Sequence, residues 1–166
     1  NHNLKRSQNL YLFVALFFLV FASFSTSALA QSAPLRVAVD APYPPFAYYD
    51  ENKALTGFDV DIATALCIEM KRECEIKAVD FDQMIPDIVA GKLDLAVAGM
   101  AATEDRKKLV DFTERYFRSH SIFIEKPGAV ESISSENLKN KRLGTQSGTI
   151  QEQYLKEMYG DVATIV

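Results

Sequence analysis

Tryptophan is absent, and 166 residues hold only two cysteines and two histidines. Zinc- and iron-type centres need such ligands clustered at short spacings, so no metal site is expected, and no cofactor motif takes its place. The chain also lacks a basic excess: 18 lysines and arginines stand against 22 acidic residues, for a formal net charge of −4. A nucleic-acid or anionic-membrane surface is therefore disfavoured. Internal repeats and low-complexity segments are missing, which sets solenoids and biased tails aside. No apolar run reaches the roughly 20 residues that a spanning helix needs.

The longest apolar run, residues 10–24, sits near the N-terminus behind Lys5 and Arg6. A small polar stretch follows it, with Ala28 and Ala30 at small-x-small spacing. This is the pattern of a signal peptide over residues 1–30, with cleavage expected after Ala30; an uncleaved anchor is the alternative. No cysteine lies at the junction, so no lipid anchor is expected. Cleavage removes two of the 18 basic residues and leaves 16 against 22 acidic ones. In an exported protein, two cysteines as close as Cys67 and Cys74 read as a disulfide, with two unpaired thiols as the alternative. Seven residues of unbroken helix rise about 10.5 Å, beyond the roughly 7 Å Cα limit for a bridge. The helix holding Cys67 is thus expected to end near residues 71–73.

The stretch around which the chain is organised is residues 93–108, LDLAVAGMAATEDRKK. Leu93, Leu95 and Val97 alternate with smaller or polar residues and then meet Gly99, a buried strand ending in a glycine turn. Thr103 is a good N-cap for a short polar helix opening on Glu104 and Asp105. Backbone N–H groups at such a strand tip favour an anion. Arg106, near N3, adds a planar fork able to grip a carboxylate or phosphate. The plainer alternative is a surface arginine paired with Asp105 or Glu104.

Residues 35–39 read as a buried first strand, interrupted only by Arg36, with Asp40 at its end. Residues 41–46 follow, stiffened by Pro42, Pro44 and Pro45 and able to hold Tyr43 toward a pocket, with a surface position for that ring as the alternative. Residues 46–49 and 55–58 read as a loose hairpin. The main helix is expected over residues 58–72, with Phe58, Ile62, Leu66 and Met70 as its core stripe. Asp59 and Asp61 fit its first turn better than they fit a catalytic pair. A second strand over residues 75–79 leads to Phe81, and a short helix over residues 82–90 stops at Gly91. The order strand, helix, strand, helix, strand is that of a parallel α/β sheet. Ligands bind outside the carboxyl ends of such strands, where Asp40 with Tyr43, Phe81, and Gly99 with Arg106 all fall. Residues 116–125 look like an extended crossing to a second unit, which holds a short polar helix over 134–141, a strand over 142–145, a glycine turn at 146–149, a helix over 150–159 and a strand from 163.

These motifs resemble the bacterial extracellular solute-binding proteins of the polar amino-acid class. Gly57-Phe58-Asp59-Val60-Asp61-Ile62 through Leu66, Cys67 and Met70 matches that family's signature. Asp80-Phe81-Asp82 with Ile85-Pro86, Ala98-Gly99-Met100 leading to Thr103–Arg106, and Gln146-Ser147-Gly148-Thr149 match further blocks in order. The resemblance implies an α/β two-lobe periplasmic-binding-protein fold of type II, the first lobe mostly present over residues 31–121 and the second incomplete over 122–166. It implies a periplasmic, monomeric receptor that delivers an amino acid to the membrane permease of an ABC importer. Arg106 would grip the α-carboxylate, helped by backbone N–H groups around Ala101 and by Thr149 from the other lobe, with Ala98 among the binding residues. The Gly99 carbonyl would take the α-ammonium, Tyr43 and Phe81 would sandwich the side chain, and Asp40 would meet its distal group.

The Cys67/Cys74 spacing is similar to that of lysine/arginine/ornithine- and histidine-binding members, and an aspartate beside aromatic rings suits a cation. Ala98 and Ala101 stand where many members carry serine or threonine, so backbone must serve there, and glutamine or an opine-like ligand stays open. A chain ending at Val166 is expected to bind weakly, if at all, by itself. Two other functions fit the fold: the ligand-sensing domain of a membrane receptor or kinase, and an enzyme resembling cyclohexadienyl dehydratase.

Overall fold

The first strand, β1 (Leu35–Val39), runs through the middle of a three-stranded parallel sheet, between residues 74–78 on one side and 95–96 on the other. The structure is a computed structural model that describes residues 33–166; the expected signal peptide and its cleavage after Ala30 lie outside the described residues. In β1, Val37 and Val39 pack with Ala63, Cys67 and Val97 on one face, and Ala38 packs with Met84 and Leu93 on the other. Both faces are covered, which is why the strand reads as a nearly continuous apolar run. Its one charged residue is clipped in place. The Arg36 side chain donates to both oxygens of Asp94 at 2.9 Å, and the Arg36 N–H donates to the same carboxylate at 2.7 Å.

A small antiparallel hairpin, β2 (Tyr48–Tyr49) and β3 (Leu55–Thr56), follows β1. Helix α1 (Phe58–Glu69) begins at Gly57, whose φ of 125° lies in the region open to glycine. The first helical N–H groups are satisfied by the preceding loop: Phe58 donates to the Pro45 carbonyl at 3.0 Å and Asp59 to the Phe46 carbonyl at 2.8 Å. A Cβ at Gly57 would stand 2.3 Å from the Phe46 oxygen. The proline loop is thus fastened to the helix start with no room between them.

The buried stripe of α1 is Asp59, Ala63 and Cys67 rather than the expected Phe58, Ile62, Leu66 and Met70. Phe58, Leu66 and Met70 are each about two-fifths exposed, and only Ile62 joins the core margin. Small residues let the helix lie close against the sheet, and Phe58 packs sideways against Phe46 and Phe117 instead. The helix ends at Glu69, earlier than the expected 72, and Lys71 takes a left-handed φ of 52° that turns the chain back. Cys67 and Cys74 then meet in a disulfide with Cα atoms 6.2 Å apart.

Strand β4 (Cys74–Ala78) pairs with β1 in the register Leu35↔Cys74 to Val39↔Ala78. A 3-10 turn at Phe81–Gln83 leads into α2 (Met84–Val89), which stops at Gly91 in a left-handed conformation. Strand β5 (Leu95–Ala96) pairs with Val37 and Ala38, and α3 (Glu104–Lys107) follows.

After residues without regular structure, the chain builds a second core. Strand β6 (Arg142–Leu143), helix α4 (Ile150–Tyr159) and strand β7 (Thr164–Ile165) form a parallel βαβ unit around Leu138, Leu155, Tyr159 and Ala163. The helix expected over 134–141 is a run of turns. The Ser134 hydroxyl takes the Asn137 N–H, the Asn137 amide bonds back to Ser132, and Asn140 is left-handed. Local side-chain bonds of this kind compete with the helical ladder.

Gly57→Ala should destabilise the protein by more than about 1 kcal/mol, because it adds both a steric conflict and a disfavoured φ; urea denaturation measures it. Arg36 holds the Asp94 carboxyl well below the ordinary carboxylate range. Its stabilisation is therefore complete above about pH 4 and is lost as pH falls through the depressed folded-state value. Asp94→Asn should flatten the acid limb of a stability–pH profile, and an unchanged limb would contradict this role.

Candidate ligand-binding site

Because β4, β1 and β5 are parallel neighbours, their carboxyl ends open on one edge. Asp40 follows β1 directly, Phe81 opens the turn after β4, and the segment from Ala98 to Arg106 follows β5. The Arg106 guanidinium carbon stands 5.5 Å from the centre of the Phe81 ring, a cation–π distance. Its Nη1 donates to the Ala101 carbonyl and its Nη2 to the Gly148 carbonyl, both at 2.8 Å. No acidic side chain pairs with it among the described residues: Glu104 is taken by Lys107 and Asp105 by Lys108. Burial draws the Arg106 pKa down, and no carboxylate raises it. Arg36 is the contrast, since Asp94 pushes its pKa up. Two carbonyl bonds engage two of five guanidinium N–H donors, so a desolvated cation retains three donors for an incoming anion.

The loop that supplies Gly148 belongs to the second core. Thr149 caps α4, its hydroxyl accepting from the Glu152 N–H at 3.2 Å and donating to the Gln146 carbonyl at 2.7 Å. The Glu152 carboxylate takes the Gly148 N–H at 2.8 Å, and Lys156 and that N–H hold the carboxyl below its ordinary value. The Thr149 hydroxyl is thus spent on the helix start, while its backbone N–H has no partner among the described residues. Gly148 has φ 74°, and a Cβ there would stand 2.6 Å from Cβ of Asp82. Backbone from the two cores approaches this closely only because that residue is glycine. A cavity of about 330 Å³ lies here, between Thr103 to Arg106 on one side and Gly148 to Ile150 on the other.

The structure brings some expected residues together and leaves others apart. Arg106, Phe81, Ala101 and Thr149 converge. Asp40, 7 % exposed, accepts from the Gln146 amide at 2.8 Å and so touches the same loop. Tyr43 is half exposed and stacks on Phe46 at 5.3 Å; like Asp40 and Phe81, it does not line the cavity. Ala98 packs against the core of Ala38, Met84 and Leu93. Gly99 takes a left-handed φ of 56°, and its N–H donates to the Tyr116 hydroxyl at 2.6 Å. Sequence reading missed Gln146 as a partner of Asp40, as it missed Tyr116 and the buried Asp59 beneath it. Contacts across 106, 17 and 57 residues have no local signature.

Residues 35–157 match the profile of the bacterial extracellular solute-binding proteins, family 3. The chain belongs to that family. This family 3 protein is 35% identical over 144 residues to a putative ABC transporter arginine-binding protein 2 of Escherichia coli (strain K12), a match covering 87% of the chain and 58% of the relative. An ancestral arginine-binding protein bound to arginine superposes with a TM-score of 0.68 at 37% identity, covering 82% of this chain and 61% of that one. An ancestral amino acid-binding protein described as a precursor of cyclohexadienyl dehydratase gives 0.69 at 39% identity, covering 80% and 60%. The family 3 chain therefore spans about three-fifths of the length of these relatives. The structures also carry the expected fold class: an α/β chain of the two-lobe periplasmic-binding type.

Gly148→Ala should push the 146–149 loop off Asp82 and lengthen the Arg106 and Asp40 contacts to it. Solution scattering should record a larger radius of gyration for the unliganded protein; an unchanged radius would show that the two cores do not depend on this approach.

Proposed function

We propose that the protein is the periplasmic substrate-binding component of an ABC importer for a basic amino acid, with arginine as the first candidate. The observation that carries this reading is Arg106: a half-buried guanidinium over Phe81, given carbonyls but no carboxylate. Such a group favours the arrival of an anion, and an α-carboxylate matches its fork. The unpartnered N–H of Thr149 supports the same placement. Asp40, almost sealed from water at the end of β1, is the carboxylate for a distal guanidinium or ammonium. The curated and structural relatives named for arginine point the same way. Under this reading the α-amino group meets the backbone near Gly99, the aromatic rings of Tyr43 and Phe81 flank the side chain, and closure of the two lobes excludes water, a motion for which periplasmic binding proteins are the standing example. The receptor acts as a monomer that docks on its permease.

The test is a thermal-shift and calorimetric screen of amino acids on the full-length protein, since ligand raises stability by mass action. Arginine should give the largest shift. Arg106→Ala should abolish the shift for every amino acid, a loss of at least about 30-fold in affinity, as for truncating a buried charge partner. Asp40→Ala should instead change which amino acids bind. Arginine binding that survives Arg106→Ala would refute the assignment.

A further inference from the structure

Behind the glycine turn lies a polar relay that none of the expected ligand contacts uses. The Gly99 N–H donates to the Tyr116 hydroxyl at 2.6 Å, and that hydroxyl donates to the Asp59 carboxylate at 2.9 Å. Asp59 is 2 % exposed and sits on the buried face of α1. The Tyr116 ring is held from the side by Phe58, with centroids 6.2 Å apart. A hydroxyl gives one hydrogen and accepts through its lone pairs, so both of its roles are filled and their directions are fixed.

Burying an aspartate in a helix face is costly unless it is bonded. Burial and the nearby Asp40 push its pKa up, against the Tyr116 bond that lowers it. Helix-start preference accounts for an exposed acid at this position, as at Asp61, but not for one sealed beneath the site loop. The relay fixes the peptide joining Ala98 to Gly99 from behind. Ala98 packs into the core on one side of that peptide, and Gly99 turns with positive φ on the other. The carbonyls of Ala98 and Gly99 have no hydrogen-bond partner among the described residues. The Ala98 carbonyl lies in the pinned peptide, so its direction is set there; the Gly99 carbonyl lies in the next peptide, whose starting point the pinned one fixes.

We propose that Tyr116, anchored by Asp59, is a positioning residue that aims the Ala98 carbonyl, and holds the Gly99 turn beside it, toward the α-ammonium of the ligand. This rests on the amino-acid reading above and adds to it a residue in the segment between the two cores. The ammonium end of the site and the crossing segment are thereby one mechanical unit.

The experiment is calorimetry on the full-length protein with two probes: L-arginine, and 5-guanidinopentanoic acid, which is arginine without its α-amino group. Tyr116→Phe removes the hydroxyl and keeps the ring. It should weaken L-arginine about tenfold, the scale of one hydrogen bond to a charged group, and leave the analogue within about twofold. Equal weakening of both probes, or of neither, overturns the proposal, because a merely structural tyrosine does not distinguish them. Should the variant fail to fold, hydrogen exchange on the wild type decides: the Gly99 amide should be protected without ligand, and free exchange there overturns the relay. Wild-type protein that binds neither probe would bring down the amino-acid reading itself, and this inference with it.

Discussion

A guanidinium withdrawn from water must be given either a carboxylate or a place for one. Arg106 takes the second course, and Arg36, a partly exposed arginine of the sheet, is the contrast. Arg36 has a bidentate aspartate, so its charge is satisfied and its work is to tie β1 to the approach of β5. Arg106 has an aromatic face and two carbonyl oxygens. Those interactions compensate part of its desolvation, since a cation–π contact contributes about 0.5–2 kcal/mol, but they leave the charge without a counterion. The chemistry of the site follows from that imbalance.

The remainder of the first lobe keeps this imbalance in place. Two covered faces make the sheet rigid, and its parallel strands bring Asp40, Phe81 and the glycine turn to one edge. The proline loop is locked to the start of α1 through Gly57 and the Pro45 and Phe46 carbonyls. The rings of Phe46, Phe58, Tyr116 and Phe117 then close over that junction and bind the crossing segment to it. The chain between residues 113 and 125 has no regular structure, so these contacts are what hold it.

How far the sequence could be read depended on whether a feature was local. The extents of β1 and α4 were legible, because an apolar run marks the one and the glycine turn at 146–149 opens the other. The strand tips were legible too, since a βαβαβ order fixes which ends share an edge. The buried face of α1 was not. Hydrophobicity selects Phe58, Leu66 and Met70, whereas close packing on a sheet selects Asp59, Ala63 and Cys67. The turns over 134–141 were hidden for a related reason, as their composition suits a helix until Ser132, Ser134 and Asn137 bond to one another. At the site, Arg106 and its cap were visible in a few adjacent letters. Gln146 on Asp40 and Tyr116 on Gly99 were invisible, because each contact exists only after two distant segments have docked.

The Asp40–Gln146 bond bears on what kind of side chain the site prefers. Asp40 is nearly buried, and in this conformation its carboxylate already holds a neutral amide donor. That donor occupies one oxygen, Oδ2, of a group with about four acceptor positions, so a ligand that reaches Asp40 adds a bond beside it. A glutamine side chain would add a second neutral bond of the same kind and leave the carboxylate's charge in place. A guanidinium or ammonium brings a charge-assisted bond, roughly twice as strong as a neutral one, and neutralises a carboxylate in a poorly hydrated place. The gain is therefore larger for a cation than for an amide. Under the proposed function, Asp40 favours a basic side chain by charge, while Gln146 holds its carboxylate in place and leaves acceptor positions open.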